Sequence, residues 1–478
     1  MSIPRKIAYN VIVAAGSKIL GTAAALIGIG FVTRYLGTEK FGMYTISLAF
    51  LSLFSAVGDW GLYQLSTREI SRPGANEKKI ISNVIGIRII LSLAILLLAP
   101  LAISLLHYDR EIKLSLIIIT LAYIFSSFYQ TIIGVFQKRL LMDRVSTAEF
   151  IGKIIQVIII VTGVTYNLGF YFIISSILIN MLVNFLIVIF LSRKFLSFKP
   201  SFDFIFWKKF IRQAAPLGIS AMVTFIYFKA DSILLSFFKS PEDVGIYGAA
   251  YKVIENVSFF PAMIVGLTMP MISFHINSNF EKFKDIVNKN FKVFVILVTP
   301  LIIGTFFLAE DIIKIIAGEA FHASAPILKI IMLALGFIFF GNLFNNILIA
   351  AKLQKLLLYI LSACAIFNLS LNLIFIPKYS YYATAWTSVA TEMLVVILSL
   401  WIIHRKLNFL PSMKGFLKII ISVLLMATFL LLTDNQNLLL RLIISPLIYF
   451  TALIAFNVIS KNEIISLISK KPQIEAGS

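Results

Sequence analysis

The chain has 478 residues, of which 59% are hydrophobic and only 13% charged, with a formal net charge of +20. That charged share is about half that of an ordinary soluble domain, and no water-soluble fold buries so much apolar surface, so an all-α polytopic membrane protein is expected. Long apolar runs without two-residue alternation exclude a β-barrel. One cysteine, Cys364, excludes a disulfide framework, and four scattered histidines argue against a metal centre.

A spanning helix needs about 20 mostly apolar residues. Fourteen such runs are expected. The first six cover residues 8–33, 41–65, 83–105, 114–136, 147–165 and 170–191. The next six cover 212–237, 245–273, 291–309, 326–350, 356–376 and 381–403, and the last two 416–433 and 438–459. The first run is long and lacks a small-residue cleavage site, so it reads as a span and not as a cleavable signal. Between the sixth and seventh runs lies "SRKFLSFKPSFDFIFWKKFIR", Ser192 to Arg212, which reads as an amphipathic linker on the cytoplasmic surface.

Lysines and arginines alternate in abundance from one connection to the next. One set, with Lys153 at the edge of the fifth run, holds 29; the other holds 9. The positive-inside bias therefore places both termini in the cytoplasm. The excess positive charge is topological, with attraction to anionic lipid and no implication of nucleic acid.

The entry to the second run, "GTEKFGMYTISLAF" (Gly37 to Phe50), has an echo at the entry to the eighth, "SPEDVGIYGAAYKV" (Ser240 to Val253). Glu39, Gly42 and Tyr44 align with Glu242, Gly245 and Tyr247, and Ala49 aligns with Lys252. An offset of six helices keeps the orientation, which suggests two parallel six-helix repeats with a substrate path between them. The expected division is an N-lobe at 1–195, a basic linker at 196–211, a C-lobe at 212–408, and two extra helices with a tail at 409–478.

Charges inside the runs are costly and normally face a polar cavity or a partner. The bases are Lys18, Arg88, Lys229 and Lys252; the acids are Asp59, Asp231, Glu255 and Glu392. Lys18 stands near mid-membrane in a glycine-rich helix. It reads either as a ligand for an anionic substrate or as the partner of Glu255 or Glu392. Lys252 and Glu255 share a helix face three residues apart, either as an internal pair or as the wall of a cavity. Arg88 either snorkels or pairs with Asp59, and Lys229 snorkels. Asp59, Asp231 and Glu392 are candidates for coupling or gating. Basic groups near the first and eighth helices suit a phosphate or pyrophosphate substrate. No phosphate loop, dinucleotide fingerprint or catalytic constellation occurs, so neither an enzyme activity nor a cofactor is expected.

The stretches "RYLGTEKFGMYTISLAF" and "GDWGLYQLSTREIS" resemble the opening of prokaryotic polysaccharide flippases of the multidrug/oligosaccharidyl-lipid/polysaccharide exporter superfamily. "PLGISAMVTFIYFKADSILLSFF", "VGIYGAAYKVIE", "AGEAFHASAPILKIIMLA" and "YATAWTSVATE" extend the resemblance through nearly the whole chain. It implies alternating-access transfer of polyprenyl-(pyro)phosphate-linked oligosaccharides across the cell membrane, with basic residues holding the pyrophosphate. Lys18, Arg88 and Lys252 are the candidates by location, while Asp59, Arg68 and Asp231 fall in signature segments. A monomeric transport unit, working beside a polysaccharide polymerase or ligase, is expected. A multidrug exporter, a lipid II-type flippase and a non-transporting membrane scaffold for glycan synthesis remain as alternatives.

Overall fold

The computed structural model describes residues 3–195, 199–434 and 436–458, with side chains from residue 16 onward except those of 18 and 19. The C-terminal tail lies outside the described residues. Among the described residues the chain is helical and has no strand. Eleven helical stretches are long and apolar enough to cross a membrane.

The first helix, α1 (Ile3–Asp59), has 57 residues. Straight, it would be about 85 Å long, nearly three times a hydrocarbon core. Gly37, at φ +68°, breaks it. Trp60 and Gly61, both at positive φ, separate it from the short α2 (Leu62–Ile70). Then come α3 (Glu77–Leu105), α4 (Arg110–Lys138), α5 (Met142–Thr165), α6 (Phe170–Ser192) and α7 (Phe204–Phe238). The expected eighth run is divided at Ser258 into α8 (Pro241–Val257) and α9 (Phe259–Ser278). Pro261 sits in the first turn of α9, where its missing N–H removes no helical bond. After α10 (Phe280–Ile316), α11 (Ser324–Ala350) and α12 (Gln354–Leu407), the chain closes with α13 (Phe416–Leu432) and α14 (Leu438–Ala455). Ser380, at φ +49°, breaks the 54-residue α12.

The described chain forms two compact units. One comprises Met1–Lys252, Ile313–Ser324 and Leu361–Thr387; the other comprises Val253–Ile312, Ala325–Ile360 and Ser388–Ser478. Within the first, Ile70, Ile85, Tyr129, Phe136 and Val188 make one core, and Leu62, Leu65, Val84 and Ile87 pack with Trp207 and Phe210 of α7 in another. Within the second, α13 and α14 close on α10 through Val295, Leu308, Met426 and Tyr449. The Tyr449 hydroxyl donates to the Ile296 carbonyl at 3.0 Å. Arg441, buried at the start of α14, pairs with Asp434 at 3.0 Å and Asp311 at 3.4 Å. Large exposed side chains such as Leu97, Leu105, Phe190 and Leu432 stand on the helix surfaces. In water they would be an aggregation liability, whereas lipid tails solvate them.

Candidate functional site

The segment Gly58–Tyr63 is a polar joint between α1 and α2. Asp59 accepts from the Tyr63 backbone N–H at 3.1 Å, so it caps the first turn of α2. The same carboxylate takes the Arg88 guanidinium of α3 in an ion pair, and Arg88 also donates to Ser127 of α4 at 2.9 Å. The Arg88 side chain is 1% exposed. The glycines are required by close approach: a Cβ on Gly58 would overlap the Tyr123 hydroxyl, and one on Gly61 would meet Leu217 Cβ at 2.6 Å. Arg88, a candidate ligand of an anionic head group, is buried in the helix bundle on Asp59 and Ser127. The Asp59 pairing is the one the sequence offered as the alternative.

A second buried carboxylate lies on α7. Asp231 is 4% exposed. It accepts from the Tyr247 hydroxyl of α8 at 3.3 Å and from the Asn372 amide of α12 at 3.0 Å. Asn372 also donates to Asn368 at 3.0 Å. The Asn372 carbonyl oxygen is buried beside them and, among the described residues, has no donor. A carboxylate and amide oxygens gathered at one point are donor chemistry for a hard cation or a proton. Lys229 is half-buried and stands over the Tyr251 ring of α8, 5.4 Å from its centroid.

The echoed segments meet each other. A Cβ on Gly42 would overlap the Pro241 carbonyl, and one on Gly245 would overlap the Thr38 carbonyl and meet Gly42 N at 3.0 Å. Thr38 donates to Glu242 at 3.2 Å, and Gly248 accommodates Thr45. Gly42 and Gly245 therefore let two helix starts cross with backbones touching, as small residues do between membrane helices. Nearby, Arg34 donates to the carbonyls of Lys314 and Ile315, placing its charge at the negative end of α10.

The remaining candidates are more dispersed. The side chain of Lys18 lies outside the described residues. Lys252 and Glu255 are both half-buried on α8, and neither is free of partners. Glu392 is 8% exposed on α12. One cation was misplaced by the sequence reading. Lys153 was expected at the edge of its span, but α5 begins at Met142, so Lys153 is the twelfth of 24 residues. Glu149, Gln156, Asn180, Asn368 and Asn372 were not anticipated. Among the described residues no cluster of three metal-ligating side chains of the His, Cys, Asp or Glu type occurs.

Residues 7–275 match the polysaccharide biosynthesis protein family, and residues 216–374 match MatE. An uncharacterized membrane protein of Methanocaldococcus jannaschii is 26% identical over 56% of this chain and 55% of its own length. The probable low-salt glycan biosynthesis flippase Agl15 of Haloferax volcanii is 22% identical over 66% of each chain. The matches thus span 55% and 66% of these relatives' lengths. Among solved structures, the lipid II flippase MurJ in an inward closed conformation aligns over 96% of this chain and 99% of its own, with a TM-score of 0.79 at 18% identity. An inward-facing multidrug resistance MATE transporter aligns over 83% and 98%, with a TM-score of 0.64 at 13% identity. The fold is shared with both. A family match over more than half the chain, on a bundle with eleven candidate spans, identifies this multi-pass membrane protein as a member of the polysaccharide biosynthesis protein family, within the multidrug/oligosaccharidyl-lipid/polysaccharide exporter superfamily.

Proposed function

We propose that the chain is a flippase for polyprenyl-(pyro)phosphate-linked oligosaccharides. It moves repeat units from the cytoplasmic to the outer leaflet for surface polysaccharide or glycan assembly. The observation that carries this reading is the family match over residues 7–275 of a chain that retains cations within its apolar helices. A charge at mid-bilayer costs about 2.5–3.5 kcal/mol on insertion scales, so its retention needs a use. Lys18 and Lys252 are the ligands proposed for the (pyro)phosphate, with Glu255 orienting Lys252. Arg88 and Asp59 hold the N-terminal helices in register.

The lipid tail stays in the bilayer while the head passes between an N-lobe (1–195) and a C-lobe (212–408). Both termini are cytoplasmic, as the charge bias supports: 28 to 9 once mid-helix Lys153 is left out of the loop count. Alternating access then requires the Gly42–Gly245 crossing to part on the way to outward release. Asp231, with the Asn372 oxygen beside it, is the proposed point where a proton or monovalent cation couples to the cycle, and Glu392 is a second candidate. A polymerase or ligase would consume the delivered glycan.

Purified protein in proteoliposomes, supplied with fluorescent lipid-linked oligosaccharide, is expected to expose label to an external quencher faster than empty vesicles. Lys18→Ala with Lys252→Ala should slow it at least ten-fold. An unchanged rate in that double variant would refute the site assignment. The match of residues 216–374 to MatE favours one second reading, a multidrug exporter. That reading requires transport of a cationic drug by the same vesicles.

A further inference from the structure

A band of polar side chains on α2, α4, α5 and α6 has no role in the pairings described above. Tyr63 of α2 donates to Gln137 of α4 at 2.9 Å, and Tyr129 of α4 donates to Glu149 of α5 at 2.9 Å. Lys153 of α5 donates to Gln156 at 3.0 Å, and Gln156 also accepts from Asn180 of α6 at 3.3 Å. Asn184 continues the row by donating to Asn180 at 3.1 Å. Glu149, Lys153 and Gln156 are spaced four and three residues apart on one helix, so they form a single face.

The band runs inward. Gln137 and Glu149 are exposed, Tyr63 and Lys153 half-buried, and Gln156, Asn180 and Asn184 buried. Along α5, Lys153 lies about 16 Å from the first residue, near the middle of a helix about 36 Å long. A row of amides confined between two helices could serve only as glue. The exposed outer members, Glu149 and Gln137, give it an open end.

The charges in the band decide what it can recognise. Glu149 and Lys153 bring one charge of each sign to the same helix face, and Asp59 is paired with Arg88, so the band has no net charge. What remains is phenols and amides, which donate and accept hydrogen bonds without net charge. Such a surface does not favour an anion. It matches a polyhydroxylated ring, whose hydroxyls both donate and accept and whose C–H faces pack on tyrosine. We propose that Tyr63, Gln137, Glu149, Lys153, Gln156 and Asn180 form a carbohydrate subsite that reads the sugar part of the transported lipid. The (pyro)phosphate is bound elsewhere. This subsite rests on the flippase reading.

The test compares two probes on the detergent-purified full chain by native mass spectrometry: bare undecaprenyl pyrophosphate, and the same lipid carrying N-acetylglucosamine disaccharide. Wild type should bind the glycosylated lipid more tightly. Glu149→Gln with Tyr63→Phe should weaken the glycosylated lipid about ten-fold and leave the bare lipid within two-fold. Both changes preserve shape, and Gln137→Ala, at an exposed position, should act in the same direction. Equal weakening of both lipids, or of neither, overturns the subsite while leaving the flippase reading intact. Binding of neither lipid by wild type overturns both.

Discussion

Asp59 and Asp231 are both acids set into apolar helices, yet their surroundings differ. Asp59 faces a guanidinium that is itself sealed from solvent and also caps a helix start. Asp231 receives a phenol and an amide, with a further unpaired amide oxygen alongside. The first arrangement neutralises charge permanently and suits a fixed joint. The second sets the carboxylate among hydrogen-bond donors from two other helices. The same residue type therefore sits in a guanidinium pair in one helix and, in another, in a hydrogen-bonded cluster that is the proposed coupling point.

The largest expected effect comes from Asp59→Ala. It strands Arg88 in the bundle and should destabilise the protein by about 3–5 kcal/mol, read as a lowered thermal midpoint in detergent. Asp59→Ala with Arg88→Met should recover most of that loss. Asp231→Asn, in contrast, keeps the side-chain shape and one of its two acceptor oxygens; transport should lose its dependence on an imposed proton or sodium gradient while the midpoint falls much less than for Asp59→Ala. A drop as large as that of Asp59→Ala would break the distinction between the two carboxylates.

Gly245→Val ranks next. Its Cβ would overlap the Thr38 backbone carbonyl, which cannot swing aside. Overpacking of this kind costs about 1–3 kcal/mol, and cysteines placed at Thr38 and Glu242 should cross-link more slowly in the variant. Tyr247→Phe removes one hydrogen bond to Asp231 and should cost about 1 kcal/mol, with a larger effect on gradient dependence than on melting.

The smallest effect concerns the linker. Asp203 accepts from the Phe206 N–H at 3.0 Å and pairs with Lys79 at 3.4 Å. The backbone hydrogen bond, followed by Lys79, holds its carboxyl below the ordinary 3.8 despite an opposing desolvation effect. Because the folded value is depressed, its contribution is fully present above pH 3.8 and is lost as pH falls through the lowered value. Asp203→Asn should flatten the acid limb of a melting-versus-pH curve slightly and leave the neutral limb unchanged.

Much of this was legible in the sequence. The helical membrane class follows from composition, and the Asp59–Arg88 pairing was open to view because two charges stand out in apolar runs. The echo between Gly42 and Gly245 was visible too, but not that the two glycines touch, since nothing local in either segment points 203 residues away. Lys153 was misplaced because Asp143, Arg144, Ser146, Thr147 and Glu149 give the first turns of α5 a polar cast that masks its start. Asn368 and Asn372 escaped notice for another reason. Amides carry no charge, so neither hydropathy nor charge alternation marks them, and only the fold brings Asn372, with Asn368 one turn away, to Asp231. The aligned pair Ala49 and Lys252 shows the same division. The shared glycines make backbone contact, and the position that differs carries a proposed ligand.

On the proposed function, this protein carries a lipid-linked glycan and not a drug. Proteoliposomes loaded in parallel with fluorescent polyprenyl-pyrophosphate oligosaccharide and with a fluorescent cationic drug test it in one measurement. The glycolipid should change leaflets well above the empty-vesicle rate while the drug stays where it was placed. Drug movement with a stationary glycolipid would contradict it.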